Sequence, residues 1–153
     1  MTRYVYVGLI KNLRPNDIFV FGSNPEGRHG AGAAKLAYEK YGAKRGQGSG
    51  LQGQSYGLIT KNLKAGYHDK KTNITYEKAG PKSVTEIQII DNIKELYKFA
   101  KNNPNLNFLI AYTATGNNLN GYTNNEMASM FNKAGDIPLN IIFEEKFYLK
   151  VIN

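Results

Sequence analysis

The apolar positions fall into short blocks separated by glycine- and asparagine-rich stretches, and one block sets the frame for the others. Ile18-Phe19-Val20-Phe21, entered from Asp17 and left through Gly22-Ser23-Asn24, shows no apolar/polar alternation, as expected of a strand covered on both faces of a sheet. Behind it Gly27, Gly30 and Gly32 allow a tight turn, and from Ala31 a run of helix formers reaches a natural stop at Gly42. Upstream, residues 3–8 alternate Tyr and Val as a half-buried strand does, and residues 11–16, with Pro15, form a turn. Residues 44–54 hold four glycines and three glutamines and predict a mobile loop. Residues 55–61 predict a strand ending at Lys61, and residues 62–82 a short hairpin at most. Ser83-Val84-Thr85-Glu86 has capping-box spacing, followed by Val84, Ile87, Ile90, Ile93, Leu96, Tyr97 and Ala100 at helical intervals up to Pro104. A second buried strand at 107–112 leads into a Gly/Asn-rich loop, and Thr123-Asn124-Asn125-Glu126 opens a helix bearing Met127, Met130 and Phe131. Residues 139–143 predict a last strand before a mixed tail. Strands alternating with helices imply a layered α/β domain with a mostly parallel sheet, one domain over residues 1–153.

Composition narrows the chemistry. Without cysteine there is neither a disulfide nor a thiolate centre, and His29 and His68 do not by themselves make a usual zinc site, so no metal and no cofactor are expected. No stretch has membrane-spanning length and the first residues lack a secretory apolar run, which predicts a soluble, cytoplasmic protein with no membrane partner. The formal charge is +8, and residues 35–101 carry 13 of the 20 basic residues against 6 of the 12 acidic ones. That region would attract a polyanion, nucleic acid included, or it is a solvated lysine-rich surface.

Two strand–loop–helix junctions carry the candidate chemistry, residues 19–36 and 109–131. If their strands are parallel neighbours, both loops meet on the carboxyl edge of the sheet, where α/β proteins hold nucleotides. Backbone N–H groups at 31–33 and 116–121 would then surround a diphosphate. Neither loop is a Walker loop, so by spacing alone phosphate binding and simple tight turns remain equal alternatives.

The stretch Asp17-Ile-Phe-Val-Phe-Gly-Ser-Asn24 with its glycine-rich turn resembles the first signature of macro domains, and Thr115-Gly116-Asn117-Asn118-Leu119-Asn120-Gly121-Tyr122 resembles their second, diphosphate-wrapping turn. The resemblance spans most of residues 17–143. It extends to a group of small phage proteins with a His-Gly-Ala-Gly-Ala-Ala-Lys segment and a Gly-Gln-Gly-x-Gly-Leu-Gln-Gly segment. It implies a three-layer macro domain-like fold, a mixed and mostly parallel central sheet flanked by helices, that binds ADP-ribose or a related nucleotide, in a phage or prokaryotic factor that reads or sequesters such a signal. The implied ligand-binding residues are Asp17, Gly22, Ser23, Asn24, His29, Gly30, Ala31, Gly32 and Ala33 on one side and Thr115, Gly116, Asn117, Asn118, Leu119, Asn120, Gly121 and Tyr122 on the other. Asn24 matches the position near the distal ribose, and Leu9-Ile10 stand roughly where the family carries an adenine-reading Asp.

The terminal ADP-ribose glycohydrolase branch carries Gly-Ala-Gly and Leu-Ile-Thr-Lys strings that recur here as Gly30-Ala31-Gly32 and Leu58-Ile59-Thr60-Lys61. This implies a glycohydrolase that uses Lys61 as nucleophile or an ordered water held near Asn24, with Asn120 standing where that branch has a catalytic Asp. An asparagine does not exchange a proton as a carboxylate does, so the departure points to binding without turnover. Lys61 then contacts phosphate or is merely exposed. His29 is a phosphate contact, a general acid or a positioning group, and Tyr122 a stacking residue or a packing staple.

Overall fold

The computed structural model describes residues 3–153. Twelve elements follow in order: β1 (Val5–Tyr6), β2 (Asp17–Ser23), α1 (Gly32–Lys40), β3 (Gly50–Gln52), β4 (Ser55–Ile59), β5 (Tyr67–Asp69), β6 (Ile74–Tyr76), α2 (Glu86–Lys101), β7 (Asn107–Ile110), α3 (Asn124–Lys133), β8 (Ile141–Glu144) and α4 (Glu145–Ile152). Six strands form one sheet in the order β1-β8-β7-β2-β4-β3, parallel except for β3 on β4, while β5 and β6 pair as a separate hairpin. β2 lies at its centre between β7 and β4, in the register Val20↔Ile110 and Val20↔Tyr56.

Period-two alternation in β2 explains the three layers. Ile18 and Val20 face a large core shared with α2, α3 and α4, whereas Phe19 and Phe21 face a smaller one closed by Ala34 and Ala37 of α1. The expected both-face burial of this strand, the parallel β2–β7 neighbourhood and the α/β class are all observed. Among the described residues no helix is long and apolar enough to cross a membrane.

Four local expectations are corrected. Residues 3–8 reduce to a two-residue edge strand, with Tyr4 and Val7 exposed; Tyr6 is the anchored residue, its hydroxyl donating to the Ile110 carbonyl at 2.6 Å. The capping box before α2 is Thr85 with Gln88, not Ser83 with Glu86; Ser83 instead receives the Asn62 N–H and donates to the Asn62 carbonyl. The buried face of α2 is Ile89, Ile93, Leu96, Tyr97 and Ala100, and Ile87 is 73% exposed. Successive three-residue steps each fall about 60° short of a full turn, so the series Ile87, Ile90, Ile93 walks around the helix instead of down one side. The tail forms α4, capped by the Glu144 carboxylate, which accepts from the Lys146 and Phe147 N–H groups; Glu is not a usual cap, which hid this start. Thr85→Ala is expected to cost about 1 kcal/mol of unfolding free energy in a urea titration, and an unchanged midpoint would show that the cap contributes nothing.

Residues 44–54, expected to be a mobile loop, contain β3 and bury Gly48 and Gln52. Gln52 is 2% exposed: its side-chain carbonyl accepts from the Lys44 N–H at 2.8 Å and its amide donates to the Gln47 and Gly50 carbonyls. The glycines serve close approach here. A Cβ on Gly48 would collide with the Asn24 carbonyl oxygen, one on Gly27 with Gly46 and Gln47, and one on Gly53 with Gly42. Gly46 to Gly48 thereby lie against the 24–28 turn, and Gly53 lies against Gly42.

Candidate functional site

β2, β4 and β7 end side by side, and their following residues enclose a cleft of about 530 Å³. One wall is Gly30 to Ala34, the turn and first residues of α1; the other is formed by Thr113, Thr115 and residues 117–120; Lys61 follows β4 between them. Of the expected ligand-binding residues, Gly22, Ser23, Asn24, Gly30, Ala31, Gly32, Ala33, Thr115, Asn117, Asn118, Leu119 and Asn120 line this cleft, together with Lys61. The parallel β2–β7 pairing accounts for this convergence, because parallel neighbours deliver their loops to the same edge.

The α1 wall carries donors. The N-cap of α1, Ala31, makes no side-chain capping bond, whereas Thr85, Thr123 and Glu144 cap the other three helices. The first backbone N–H groups of α1 therefore face the cleft without a side-chain acceptor, at the positive end of the helix dipole. Gly32 begins this helix at φ +58, and a Cβ there would come 3.2 Å from Leu119 on the opposite wall. Lys61 and Arg28 are the cationic side chains of the lining; Arg28 also pairs with Glu26 at 3.4 Å. Among the described residues no Asp or Glu lines the cleft.

The floor is a polar cluster in which Asn120 was expected and Tyr112 and Thr60 were not. Tyr112, two residues beyond β7, is buried with its hydroxyl hydrogen-bonded to Thr60 and receiving the Asn120 amide at 3.3 Å. Burial pushes the Tyr112 phenol above its ordinary pKa, and the bonds to Thr60 and Asn120 oppose that shift only in part, so it stays protonated. A Cβ at Gly22 would lie 2.7 Å from the Tyr112 hydroxyl and 3.1 Å from Thr60 Oγ1, so glycine is what admits the cluster under β2. Thr60 and Tyr112 each sit just past the carboxyl end of a strand, which is the signal that would have found them; Leu9, which also borders the cleft, carries no such signal.

Several expected residues hold the walls in place. The Asn24 side chain accepts the Arg28 N–H at 2.9 Å and donates to the Arg28 carbonyl at 2.8 Å, closing the 24–28 turn. Asn120 accepts the Tyr122 N–H at 2.9 Å, and Asn118 donates to the Tyr122 carbonyl, so the second loop is folded on itself. Glu126 completes the Thr123 capping box, and the Thr123 N–H holds its carboxyl below the usual range.

Five expected residues do not line the cleft. Asp17 lies at the amino end of β2, the far edge of the sheet, accepting from the Arg14 N–H and the Asn107 amide. His29 is 5% exposed and turned into the 44–52 segment, with Nε2 2.9 Å from the Lys44 carbonyl and its ring edge-on to Phe21. Those acceptors assign the proton to Nε2 and make His29 a positioning group. Gly116 stands outside the lining, and Gly121 packs on Pro81, where a Cβ would meet Pro81 Cβ at 2.6 Å. Tyr122 is a packing staple: it is buried and its hydroxyl donates to the Val84 carbonyl at 2.7 Å.

Comparison with protein-family models, curated proteins and solved structures finds no match to this chain.

Proposed function

We propose that the chain is a macro-like domain that binds ADP-ribose or an ADP-ribose-derived nucleotide in this cleft and holds it without turnover. The observation that carries the reading is the lining itself: an uncapped helix start and two cations around a concave site at the carboxyl ends of parallel strands, with no carboxylate among the described lining residues. Such a site attracts a diphosphate, and a polyhydroxyl sugar fits against the Tyr112–Thr60–Asn120 floor. The resemblance of residues 17–24 and 115–122 to the two macro domain signatures supports the nucleotide identity.

The glycohydrolase reading rests on Lys61, whose ammonium makes no ion pair among the described residues. A hydrolase also needs a group to pass protons, and Asn120 at the matching position is neutral and occupied with Tyr112 and Tyr122. Binding is therefore the better supported function.

The test is the melting temperature with ADP-ribose, AMP, NAD or buffer. Ligand at a hundredfold its dissociation constant adds about 2.7 kcal/mol to folding stability, so ADP-ribose is expected to raise the melting temperature more than AMP or NAD does. A chain indifferent to all three would exclude free ADP-ribose as its ligand.

A further inference from the structure

The sheet has two outer edges, and they are finished differently. On β3 the Gln47 side-chain amide donates to the Ser49 and Leu51 carbonyls at 3.1 and 3.0 Å, so that edge is partly closed. On β1 nothing takes this role: apart from the β1–β8 ladder, no backbone group of residues 3–10 enters a backbone hydrogen bond among the described residues. The side chains agree. From Tyr4 to Ile10 the chain carries no charge and no proline, the devices that usually keep a free edge from pairing. Tyr4, Leu9 and Val7, at 77%, 75% and 73%, are three of the four most exposed large apolar side chains among the described residues; the fourth, Ile87 at 73%, lies on α2. α4 packs beside β1, and Tyr148, whose ring centre lies 5.9 Å from the Arg3 guanidinium, marks the flank of the helix nearest that strand. Ile152 follows one turn later on the same flank and is exposed.

The occupant that this edge fits is a second copy of the chain. Each copy carries a formal charge of +8, so two copies repel except where neither presents charge, and the stretch from Tyr4 to Ile10 is such a place. β1 itself supplies the extended, uncharged strand that its edge lacks, so a twofold axis beside it lets both copies use the same groups. Residues 3–8 have the alternating Tyr/Val sequence of a longer strand, yet only Val5 and Tyr6 pair with β8; a strand on the outer side supplies the bonds the others lack. Burying one large apolar side chain removes on the order of 100 Å² from water. Tyr4, Val5, Val7, Leu9 and Ile152, with the strand backbone, then reach the roughly 600 Å² per partner at the lower end of specific interfaces.

We propose that the chain forms a symmetric dimer in which β1 pairs antiparallel with β1 of a second copy, joining the two sheets into one. The test is sedimentation equilibrium of the full chain at up to roughly 100 μM, since interfaces of standard size reach micromolar constants or better. The expected result is a particle of twice the 17.1 kDa chain; one that stays at 17.1 kDa throughout overturns the proposal. Val7→Lys puts a charge on the edge and is expected to weaken self-association at least about tenfold, whereas Ile87→Lys, equally exposed on α2, leaves it unchanged. Both substituted side chains lie in solvent, so the circular dichroism spectrum of each variant stays that of the parent and separates loss of pairing from loss of fold. A dimer that survives Val7→Lys, or is lost equally in Ile87→Lys, lies on another surface and overturns the proposal. Added salt is expected to strengthen the dimer by screening the repulsion between two +8 chains; a dimer that weakens with salt is held by charges and is not this one.

Discussion

Replacing Gly48 by alanine is expected to lower the stability of the chain by roughly 3 kcal/mol, the upper range for forcing atoms into a packed site. The new methyl group would collide with the Asn24 carbonyl oxygen and lie 3.1 Å from Pro25 Cα, and these backbone atoms have no rotamer by which to retreat. Gly48 cannot withdraw the other way, because its own carbonyl lies against the space where a Cβ on Gly57 of β4 would stand. Gly46→Ala is the control. Its Cβ would meet nothing within 4 Å, so only the strain of a side chain at φ +88 remains, a cost of about 1 kcal/mol. Urea titration of the two variants separates crowding from conformation, and equal losses would refute the packing argument. Because Asn24 belongs to the cleft wall, Gly48→Ala is also expected to weaken ligand binding.

The second large effect is on binding alone. On the proposed nucleotide reading, Lys61→Glu should reduce affinity for ADP-ribose about a hundredfold, equivalent to about 2.8 kcal/mol, because an anion would replace a cation in the cleft lining. Lys61→Ala should lose about tenfold. Lys61 is half-buried at the cleft mouth and its side chain makes no hydrogen bond among the described residues, so folding stability should move by no more than about 0.5 kcal/mol in either variant. The two losses should converge as salt rises, since partly exposed charges are screened. Calorimetry at two ionic strengths checks both points. Unchanged affinity in Lys61→Glu would place the anion elsewhere.

The legible parts of the sequence were those in which one local rule acted alone. The unbroken apolar run of β2 announced burial on both faces, and Thr123 with Glu126 announced the start of α3. Cleft residues Asn24, Gly30 to Ala33, Thr115 and Asn117 to Asn120 were legible because both segments follow parallel neighbouring strands. Where two apolar series competed, as in α2, tertiary packing chose between them and favoured Ile89 over Ile87. Residues 44–54 looked mobile because glycine and glutamine are loop formers locally. Their ordering depends on Asn24, His29 and Gly57, which the chain brings from other segments. Tyr112 and Thr60 were missed for the same reason: each reads as the polar end of a strand until Gly22 and Asn120 are placed beside it.

The most direct measurement is a titration of isotope-labelled chain with ADP-ribose, followed by amide NMR shifts. The largest shifts are expected on Gly32, Ala33 and Ala34 at the start of α1 and on residues 115–120 opposite, with Lys61 between them, while the β5–β6 hairpin is unmoved. Shifts centred on Lys70 and Lys71 of that hairpin, or no shifts at a large excess of ligand, would contradict the nucleotide reading of the cleft.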